Sequence, residues 1–419
     1  MLDKAKQYLE ENLHSTDRFL LGLSGGPDSI ALFALLLQKN IPFAVCHVNH
    51  GWRGESQKEA EILAQMCEKN EITFHLAEIE DFDFEKNNIE DRFRRERYKF
   101  FNALYKRGKY TALLLGHHGD DQAETVLKRV LEGSSLINLG AMDIEAEQQG
   151  MRIIRPLLFH TKKEIYQFLK EEKFTFFEDH TNHDMKYLRA KMRNKIIPTL
   201  EKQFGKNIVN NLNHLAIKTK EVEGFFYNRL KKELSSLKKG QLGAYLPLPK
   251  NLQLIEMEYF IRFLCKSMGL TFSRKNLELM QLIIKDKKSG KKIVQDQFEI
   301  IYDRNYLFFH DLKASADVYC EEVTEKPTTI CDWKKLWEGG TGVLYLPHKQ
   351  CYLASPDLSK RLPNGITLKK WYVQHDVPAF LRHKIPVVWD NNQIVGECLT
   401  GKQLDLYPNQ LLTLITKRI

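Results

Sequence analysis

Short, continuous hydrophobic runs alternate with amphipathic segments along the first half of the chain. Each of the runs RFLLGLS, FAVCHVNH, ITFHLAEI and TALLLGHH is followed by a stretch with helical periodicity. Continuously apolar strands that alternate with helices are typical of βαβ units around a buried parallel sheet. The pattern therefore predicts an α/β fold with a doubly wound parallel sheet. The loops that follow its strands lie where such sheets bind ligands.

The pattern changes after Pro198, and it predicts two further domains. Residues 199–240 carry Lys-rich helical periodicity, residues 251–284 suggest two more helices, and residues 291–310 predict a β-hairpin. Short strands and turns dominate from about residue 318. We expect an α/β domain over residues 1–200, a helical basic domain over 205–312 and a small β-rich domain over 318–419.

The first predicted strand ends in a glycine-rich loop, LGLSGGPDS, which spans Leu21 to Ser29. A helix is expected to begin near Pro27, because proline is tolerated in the first helical turn. Adjacent glycines let the backbone turn tightly, and the free amides of the helix N-terminus can cradle a phosphate. The loop is not a Walker A motif, since no Lys-Ser/Thr pair follows at the required spacing.

Asp28 indicates what kind of phosphate ligand the loop binds. A carboxylate beside a phosphate repels the ligand unless a metal ion lies between them, so Asp28 implies Mg²⁺. The alternative is a tight turn with an aspartate as helix cap. The spacing S-G-G-x-D-S between a strand and a long apolar helix favours the phosphate interpretation.

Two further polar motifs follow predicted strands. HVNHGWRGES, His47 to Ser56, fits a nucleotide contact together with the charge of Arg53, and the alternative is a polar loop with Ser56 as helix cap. GHHGDDQAET places Asp121, Glu124 and Thr125 on one helix face. A carboxylate pair there could bind a substrate ammonium or help to hold the metal. The alternative is that acidic residues favour the helix N-terminus and that Glu124 pairs with Lys128.

Two basic segments suggest contacts with RNA. IEDRFRRERY, residues 89–98, puts Glu90, Arg94 and Arg97 on one helix face beside Tyr98. Arginine next to an aromatic ring suits RNA backbone contact and base stacking. A lysine cluster over residues 285–292 suits a phosphate-binding turn. For both segments a solvated charged surface is an equally good interpretation.

Composition narrows the class of protein without deciding the function. The 419 residues carry a formal charge of +9, which permits a polyanionic partner but does not require one. The longest clean apolar run, Ile30 to Leu37, is far shorter than the ~20 residues of a membrane helix. The 7 cysteines are scattered without a C-x-x-C pair, so neither a zinc ribbon nor a redox dithiol is expected. The amphipathic N-terminus and these cysteines favour a cytoplasmic protein.

The glycine-rich loop resembles the fingerprint of the PP-loop ATP pyrophosphatase superfamily, S-G-G-x-D-S. Its members cleave ATP between the α- and β-phosphates and adenylate an oxygen of their substrate. The later motifs, matched in order, resemble one family within it, the tRNA(Ile)-lysidine synthetases. These motifs are H-x-N-H-x-x-R-G-E-S, E-x-x-x-R-x-x-R-Y, H-H-x-D-D-Q-x-E-T and R-P-L-L, the last at Arg155 to Leu158.

The resemblance continues further along the chain, with departures from the family patterns. The family pattern E-D-x-S-N falls on Glu178 to Asn182, with Thr181 in place of serine. The pattern R-N-x-I-R falls on Arg189 to Arg193, where Ala190 replaces asparagine, so the contact of that asparagine is not carried over. Residues 367–390 look like the last domain of the long form of this family. From composition we expect the basic side chains there to be exposed, namely Lys369, Lys370, Arg382 and Lys384.

The resemblance implies an ATP-dependent carbon–nitrogen ligase that modifies tRNA. Its tRNA partner would be an isoleucine tRNA with a CAU anticodon. With Mg²⁺ and ATP, the C2 oxygen of the wobble cytidine would be adenylated and diphosphate released. The ε-amine of free L-lysine would then replace AMP and give lysidine. A homodimer is compatible with this interpretation.

The residue roles follow from the same resemblance. Catalytic roles fall on Asp28, Asp121, Glu124 and Arg97, with Asp28 also the metal ligand and with Asp121 and Glu124 binding lysine. ATP binding falls on Ser24, Gly25, Gly26, Pro27, Asp28 and Ser29. Contacts with tRNA are expected from Arg94, Arg97, Arg189, Arg193, Lys287, Lys288, Lys369, Lys370 and Arg382.

Three competing functions stay open at this stage. The nearest is another PP-loop tRNA base modifier such as a thiolase, although the cysteine pairs that thiolases usually carry are missing. A non-catalytic tRNA-binding protein is disfavoured by the intact loop Ser24 to Ser29. A synthetase of the guanylate type, which acts on a small molecule, is disfavoured by the long basic C-terminal half.

Overall fold

A computed structural model describes most of the chain, which divides into two compact units, Met1–Val222 and Glu223–Ile419. The predicted division into three domains stays a prediction. The described residues are 1–14, 16–49, 56–78, 89–177, 188–240, 242–270, 272–313, 318–322, 332–338, 342–345, 350–400 and 411–416.

A mostly parallel sheet forms the centre of the first unit. Its described strands are β1 (Phe19–Gly22), β2 (Phe43–Asn49), β3 (Phe74–Glu78), β4 (Ala112–Leu114), β5 (Glu145–Gln148) and β6 (Met151–Ile154). Their order in the sheet is β3-β2-β1-β4-β6-β5. All neighbours pair in parallel except β5, which pairs antiparallel with β6 at the edge.

Helices cover both faces of this sheet. The helices described along the first unit are α1 (Asp3–Asn12), α2 (Pro27–Gln38), α3 (Ser56–Lys69), α4 (Ile89–Arg107), α5 (Gly119–Leu131), α6 (Lys162–Glu171), α7 (Leu188–Lys191) and α8 (Ile197–Phe204), and α9 (Ile208–Leu234) continues from the first unit into the second. Phe19 and Leu21 of β1 pack into a core with α1, α2, α3 and α6, whereas Leu20 packs into a second core with Tyr98 and Phe101 of α4. Successive strand residues point to opposite faces, so this alternation confirms the predicted doubly wound sheet.

The parallel arrangement brings the predicted motifs to one edge. β1, β4 and β6 are neighbours in the sheet, and their carboxyl ends lie together. The glycine-rich loop follows β1, the histidine pair follows β4, and Arg155 follows β6. The strand order also reverses direction between β1 and β4, which is where open α/β sheets bind ligands.

The second unit combines helices with antiparallel strands. A five-stranded sheet has the order β7-β8-β11-β10-β9, so the hairpin expected over 291–310 is part of a larger sheet. The two helices expected over 251–284 are present. The elements are β7 (Lys238–Gly240), β8 (Gly243–Pro247), α10 (Leu254–Ser267), α11 (Arg274–Lys285), β9 (Lys291–Gln295), β10 (Phe298–Asp303) and β11 (Tyr306–Asp311).

The last part of the chain is rich in β-structure, as predicted. Two antiparallel three-stranded sheets are described, with the orders β12-β17-β13 and β14-β15-β16, and no described helix is long and apolar enough to cross a membrane. The elements are β12 (Val318–Glu322), α12 (Trp333–Trp337), β13 (Gly342–Tyr345), β14 (Tyr352–Ala354), α13 (Leu368–Gln374), β15 (Val387–Asp390), β16 (Gln393–Gly396) and β17 (Leu411–Thr416).

One basic side chain of this region is not where the sequence predicted it. Lys369, Lys370 and Lys384 are exposed, but the expectation that Arg382 is exposed is wrong, because only 7% of it is accessible. Its Nε and Nη2 atoms donate to the Val377 carbonyl oxygen at 3.0 and 2.7 Å. The guanidinium satisfies a backbone acceptor instead of facing water.

Candidate active site

At Gly25 the glycine-rich loop has a backbone conformation that only glycine adopts without strain. Gly25 has φ +85°, and a Cβ atom there would lie 2.4 Å from the Phe177 ring. The Phe177 amide donates to the Gly25 carbonyl oxygen at 2.9 Å and holds the turn in place. The loop then enters α2, which begins at Pro27 as predicted, with the unpaired amides of its first turn next to the glycines.

Two serines close the loop on itself. The Ser24 amide donates to Ser29 Oγ at 3.2 Å, and the two hydroxyl oxygens lie 3.1 Å apart. Ser29 Oγ donates to the Gly26 carbonyl oxygen at 3.1 Å. These bonds fix the backbone amides before any ligand binds, which is the preorganisation that a phosphate cradle requires.

Asp28 lies between the loop and the residues that follow β4. Its Oδ2 atom is 3.6 Å from His118 Nε2, while its Oδ1 atom is buried and has no hydrogen-bond partner among the described residues. A Cβ atom at Gly116 would lie 2.9 Å from the Asp28 backbone, so the two loops are in close contact. Burial raises the pKa of Asp28, with Asp121 adding to the shift and His118 opposing it.

His118 is surrounded by three carboxylates at the start of α5. Besides Asp28, its ring nitrogens lie 3.4 Å from the Asp120 carboxylate and 3.5 Å from that of Asp121. Burial alone would lower the pKa of His118, but the carboxylates raise it to about 9. Asp120 also accepts from the Lys162 amide at 2.7 Å, which ties α5 to the start of α6. Asp120 is therefore a structural neighbour of the site.

Asp121 and Glu124 form an acid pair that holds a cation. Arg193 donates from Nε to Glu124 at 2.7 Å and from Nη2 to Asp121 at 3.0 Å. The alternative pairing of Glu124 with Lys128 is not formed, since Lys128 lies 3.8 Å from Glu132 instead. Only 2% of Glu124 is accessible. The two carboxylates therefore lie on one helix face, as their helical spacing predicted, and share the guanidinium of Arg193.

The two carboxylates of this pair differ in the direction of their pKa shifts. Burial raises the pKa of Glu124, although Arg193 opposes the shift. Burial also acts to raise the pKa of Asp121, but His118, His117 and Arg193 lower it overall. Asp121 is consequently the more strongly ionised member of the pair at neutral pH.

The predicted RNA-binding arginines of α4 lie near the end of β4. The Arg94 guanidinium is 5.1 Å from the centre of the Tyr98 ring. Burial lowers the pKa of His117 to about 4 and Asp121 opposes the shift, while Arg155, Arg97 and Arg94 lower it further. His117 is therefore neutral at physiological pH, and the arginines are close enough to act on it.

The remaining predicted tRNA contacts comprise lysines of the second unit and Arg189 of the first. Lys287, Lys288, Lys369 and Lys370 are exposed in the second unit. Arg189 is exposed on α7, and it acts on Glu124 electrostatically. Residues 50–55 of the second motif and residues 178–187 lie outside the described residues.

Sequence reasoning placed Arg193 on tRNA and missed its pairing with the acid pair. Arg193 is separated from Asp121 by 72 positions, so no local spacing connects them. The π-helical turn Met192–Ile196, which follows α7, carries this arginine. Such turns occur often at functional sites, but the sequence has no clear signal for them.

The site fits a metal ion only in combination with a ligand. Among the described residues, no group of three or more His, Cys, Asp or Glu side chains is arranged so that it could hold a metal ion by itself. Mg²⁺ is commonly held by one or two carboxylates together with substrate phosphates. Asp28 fits that pattern, because its unpartnered Oδ1 atom adjoins the phosphate cradle.

Comparison with known proteins agrees with this geometry. A PP-loop domain model matches residues 1–200, and a model described as the TilS substrate C-terminal domain matches residues 360–396. The fold and the glycine-rich loop thus define a protein of the PP-loop class, whose family implies the use of ATP.

Similarity along the whole chain gives the family itself. A tRNA(Ile)-lysidine synthase from Protochlamydia amoebophila is 34% identical over 96% of this chain and 93% of its own length. One from Chlamydia muridarum is 37% identical over 63% of this chain and 82% of its own length. The chain belongs to the tRNA(Ile)-lysidine synthase family. Among solved structures, a U34-tRNA thiolase from Methanococcus maripaludis is 22% identical, with a TM-score of 0.42 over 51% of this chain and 78% of its own.

Proposed function

We propose that this protein ligates L-lysine to C2 of the wobble cytidine of an isoleucine tRNA with a CAU anticodon, using ATP and forming lysidine. The observation that carries the proposal is the acid pair Asp121 and Glu124, which pairs with the protein's own Arg193 and lies beside Asp28 and the phosphate cradle. A phosphate site and an ammonium site at one sheet edge are what an ATP-dependent ligation of an amine requires.

The first step is adenylation of the base. The cytosine C2 oxygen attacks the α-phosphorus, the new P–O bond forms, and the bond to diphosphate breaks. The amides at Gly25 and Gly26 and the α2 N-terminus would stabilise the charge that develops on the phosphate oxygens. Mg²⁺, held by Asp28 and the phosphates, would neutralise charge on the α-phosphate and on the leaving diphosphate.

The second step is displacement of AMP by lysine. The ε-amine must lose a proton before it attacks C2, and the attack is completed when the C2–O bond to AMP breaks. Asp121 is a candidate acceptor for the proton, since it is ionised and faces the cation site. An ammonium group matches the position that the Arg193 guanidinium takes between the two carboxylates. Water must be excluded here, because it would hydrolyse the adenylate.

The proposal is tested by incubating the protein with ATP, radiolabelled lysine and bulk bacterial tRNA. We expect label in one nucleoside, lysidine, from isoleucine tRNA with a CAU anticodon, together with AMP and diphosphate. AMP release that depends on a sulfur donor instead of lysine would contradict the proposal. A homodimer stays a prediction, which light scattering of the purified protein tests.

The acid pair is tested by the variants Asp121→Asn and Glu124→Gln. Each removes one carboxylate charge from the cation site, so the KM for lysine should rise at least about tenfold while the KM for ATP stays near its original value. Glu132→Gln is the matched control, because Glu132 lies just beyond α5 and is exposed. An unchanged KM for lysine in both variants would remove this assignment.

A further inference from the structure

Arg155 is a buried cation that the proposed mechanism leaves without a role. It is the first residue of the R-P-L-L segment, it directly follows β6, and only 6% of it is accessible. Nη1 donates to the Asp143 carbonyl oxygen at 2.8 Å, and Nε has no hydrogen-bond partner. Within the part of the chain that the structure describes, its guanidinium makes no ion pair. The Asp143 carboxylate is already taken by Lys220 at 2.8 Å.

Two neighbours of Arg155, Tyr98 and Arg94, also have polar groups without a matching partner. The Tyr98 hydroxyl is buried and has no hydrogen-bond partner, although only 2% of Tyr98 is accessible. The Arg94 guanidinium lies 5.1 Å from the Tyr98 ring and makes no ion pair among the described side chains. The Tyr98 hydroxyl is near enough to Arg155 to act on it both electrostatically and through a long hydrogen-bond contact, while Asp143 and Arg94 act on it electrostatically. Two guanidinium groups and a hydroxyl group therefore lie near one another, and no carboxylate among the described residues forms an ion pair with either guanidinium.

This arrangement is unfavourable unless an anion completes it. A buried charge is normally paired, because removal from water costs free energy that only a counter-charge restores. A planar guanidinium with a free Nε–H presents the fork that suits phosphate or carboxylate oxygens. Arg155 also lies at the sheet edge that carries the phosphate cradle and the acid pair. The anion therefore belongs to a substrate.

We propose that Arg155, Arg94 and Tyr98 form a subsite for the phosphodiester group of the target nucleotide, an inference that rests on the proposed function. The phosphates of ATP already have the glycine-rich loop, and lysine is held through its cationic end. An RNA base that enters the site brings a backbone phosphate with it, one ribose away. That phosphate loses its water as the base is inserted, and Arg155 supplies the compensating charge.

Kinetics of Arg155 variants test the subsite. Arg155→Lys keeps the charge and loses the fork, whereas Arg155→Met loses both. We expect the KM for tRNA to rise about tenfold or more in each variant, with the KM for ATP and for lysine within twofold of the original. The slope of log affinity against log salt should fall by about one in Arg155→Met. An increase confined to the KM for lysine would overturn the proposal, because Arg155 would then bind the carboxylate of lysine. An increase confined to the KM for ATP would also overturn it, because Arg155 would then bind a phosphate of ATP.

Arg152→Met is the matched control. Arg152 lies on β6, three residues before Arg155, and its guanidinium pairs with Glu145 at 2.9 Å near the surface. It should leave the KM for tRNA unchanged. Circular dichroism of both Arg155 variants separates a lost contact from a lost fold.

A chemically altered RNA gives a second measurement with the unaltered protein. An anticodon stem-loop with methylphosphonate in place of one phosphate next to the wobble nucleotide should bind about tenfold more weakly. The Arg155→Met variant should bind this altered RNA almost as well as it binds the unaltered RNA, because the substitution and the methylphosphonate remove the same interaction. Fully additive losses would overturn the subsite. If the unaltered protein incorporates no lysine at all, the proposed function fails, whereas normal incorporation with additive losses refutes the subsite alone.

Discussion

Three carboxyl groups of the candidate site, those of Asp28, Asp121 and Glu124, have different pKa shifts because their environments differ. Burial raises the pKa of Asp28 and of Glu124, while neighbouring cations lower that of Asp121. In its proposed role as metal ligand Asp28 must first lose its proton, so the raised pKa makes metal binding there increase with pH. The lowered pKa of Asp121 keeps its carboxylate ionised, as the proposed role of proton acceptor requires, but it also makes that carboxylate a weaker base.

At the same scale, His118 couples folding to pH. Its pKa in the folded protein is about 9, above the ordinary value of 6.5, because Asp121, Asp120 and Asp28 surround it and overcome the effect of burial. A raised pKa contributes stability that is fully present below pH 6.5 and is lost as the pH rises through 9. We expect the free energy of unfolding, measured in urea, to fall by about 3 kcal/mol between pH 6.5 and pH 9.

The matching variants isolate the contribution of His118. His118→Asn keeps a residue type that caps helices and removes the titrating ring, so the decline over this pH range should largely disappear. His75→Gln should keep the decline, since burial and Arg107 lower the pKa of His75 and it does not titrate there. An equal decline in all three proteins would show that another group is responsible.

At the scale of elements, the turn between β1 and α2 depends on one of its two glycines. Gly25 has φ +85° and contacts Phe177, whereas Gly26 has φ −73° and its nearest neighbour for a Cβ atom is 3.7 Å away. Gly25→Ala should therefore lower the free energy of unfolding by at least about 2 kcal/mol. Gly26→Ala should cost only about 0.5 kcal/mol. Urea unfolding of both variants checks the difference, and equal losses would contradict it.

The same element shows what a sequence can predict. The bounds of the loop and the start of α2 at Pro27 follow from local rules on glycine, proline and apolar periodicity. The pairing of Arg193 with Asp121 depends on how a distant π-helical turn packs, which no local rule describes. The sequence also predicted an exposed Arg382 wrongly. Its guanidinium is buried because it donates to the Val377 carbonyl oxygen, a contact that composition does not reveal.

At the scale of the whole molecule, the first unit was easier to predict than the second. Continuous apolar strands alternating with helices allow few topologies, so the parallel sheet followed from the pattern. In the second unit β7 and β8 are short and separated from β11 by two helices, so pairing between distant strands decides the sheet. The hairpin over 291–310 was predictable because its strands are adjacent in the chain.

The charge of the whole molecule leads to a last prediction, about tRNA binding. The formal charge of +9 attracts RNA without regard to position on the protein surface. Each direct contact with a phosphate also releases counterions, so it makes the binding affinity fall more steeply as the salt concentration rises. Lys369 and Lys370 are exposed near the start of α13, within the region similar to the substrate C-terminal domain. The double variant Lys369→Ala, Lys370→Ala should weaken tRNA binding and reduce the slope of log affinity against log salt by about two. The affinity for ATP should not change.

The control is Lys170→Ala, Lys173→Ala, which removes the same charge from exposed positions at the end of α6. If both double variants lose equal affinity, net charge alone attracts the tRNA, and if only the first does, the C-terminal lysines contact its phosphates directly.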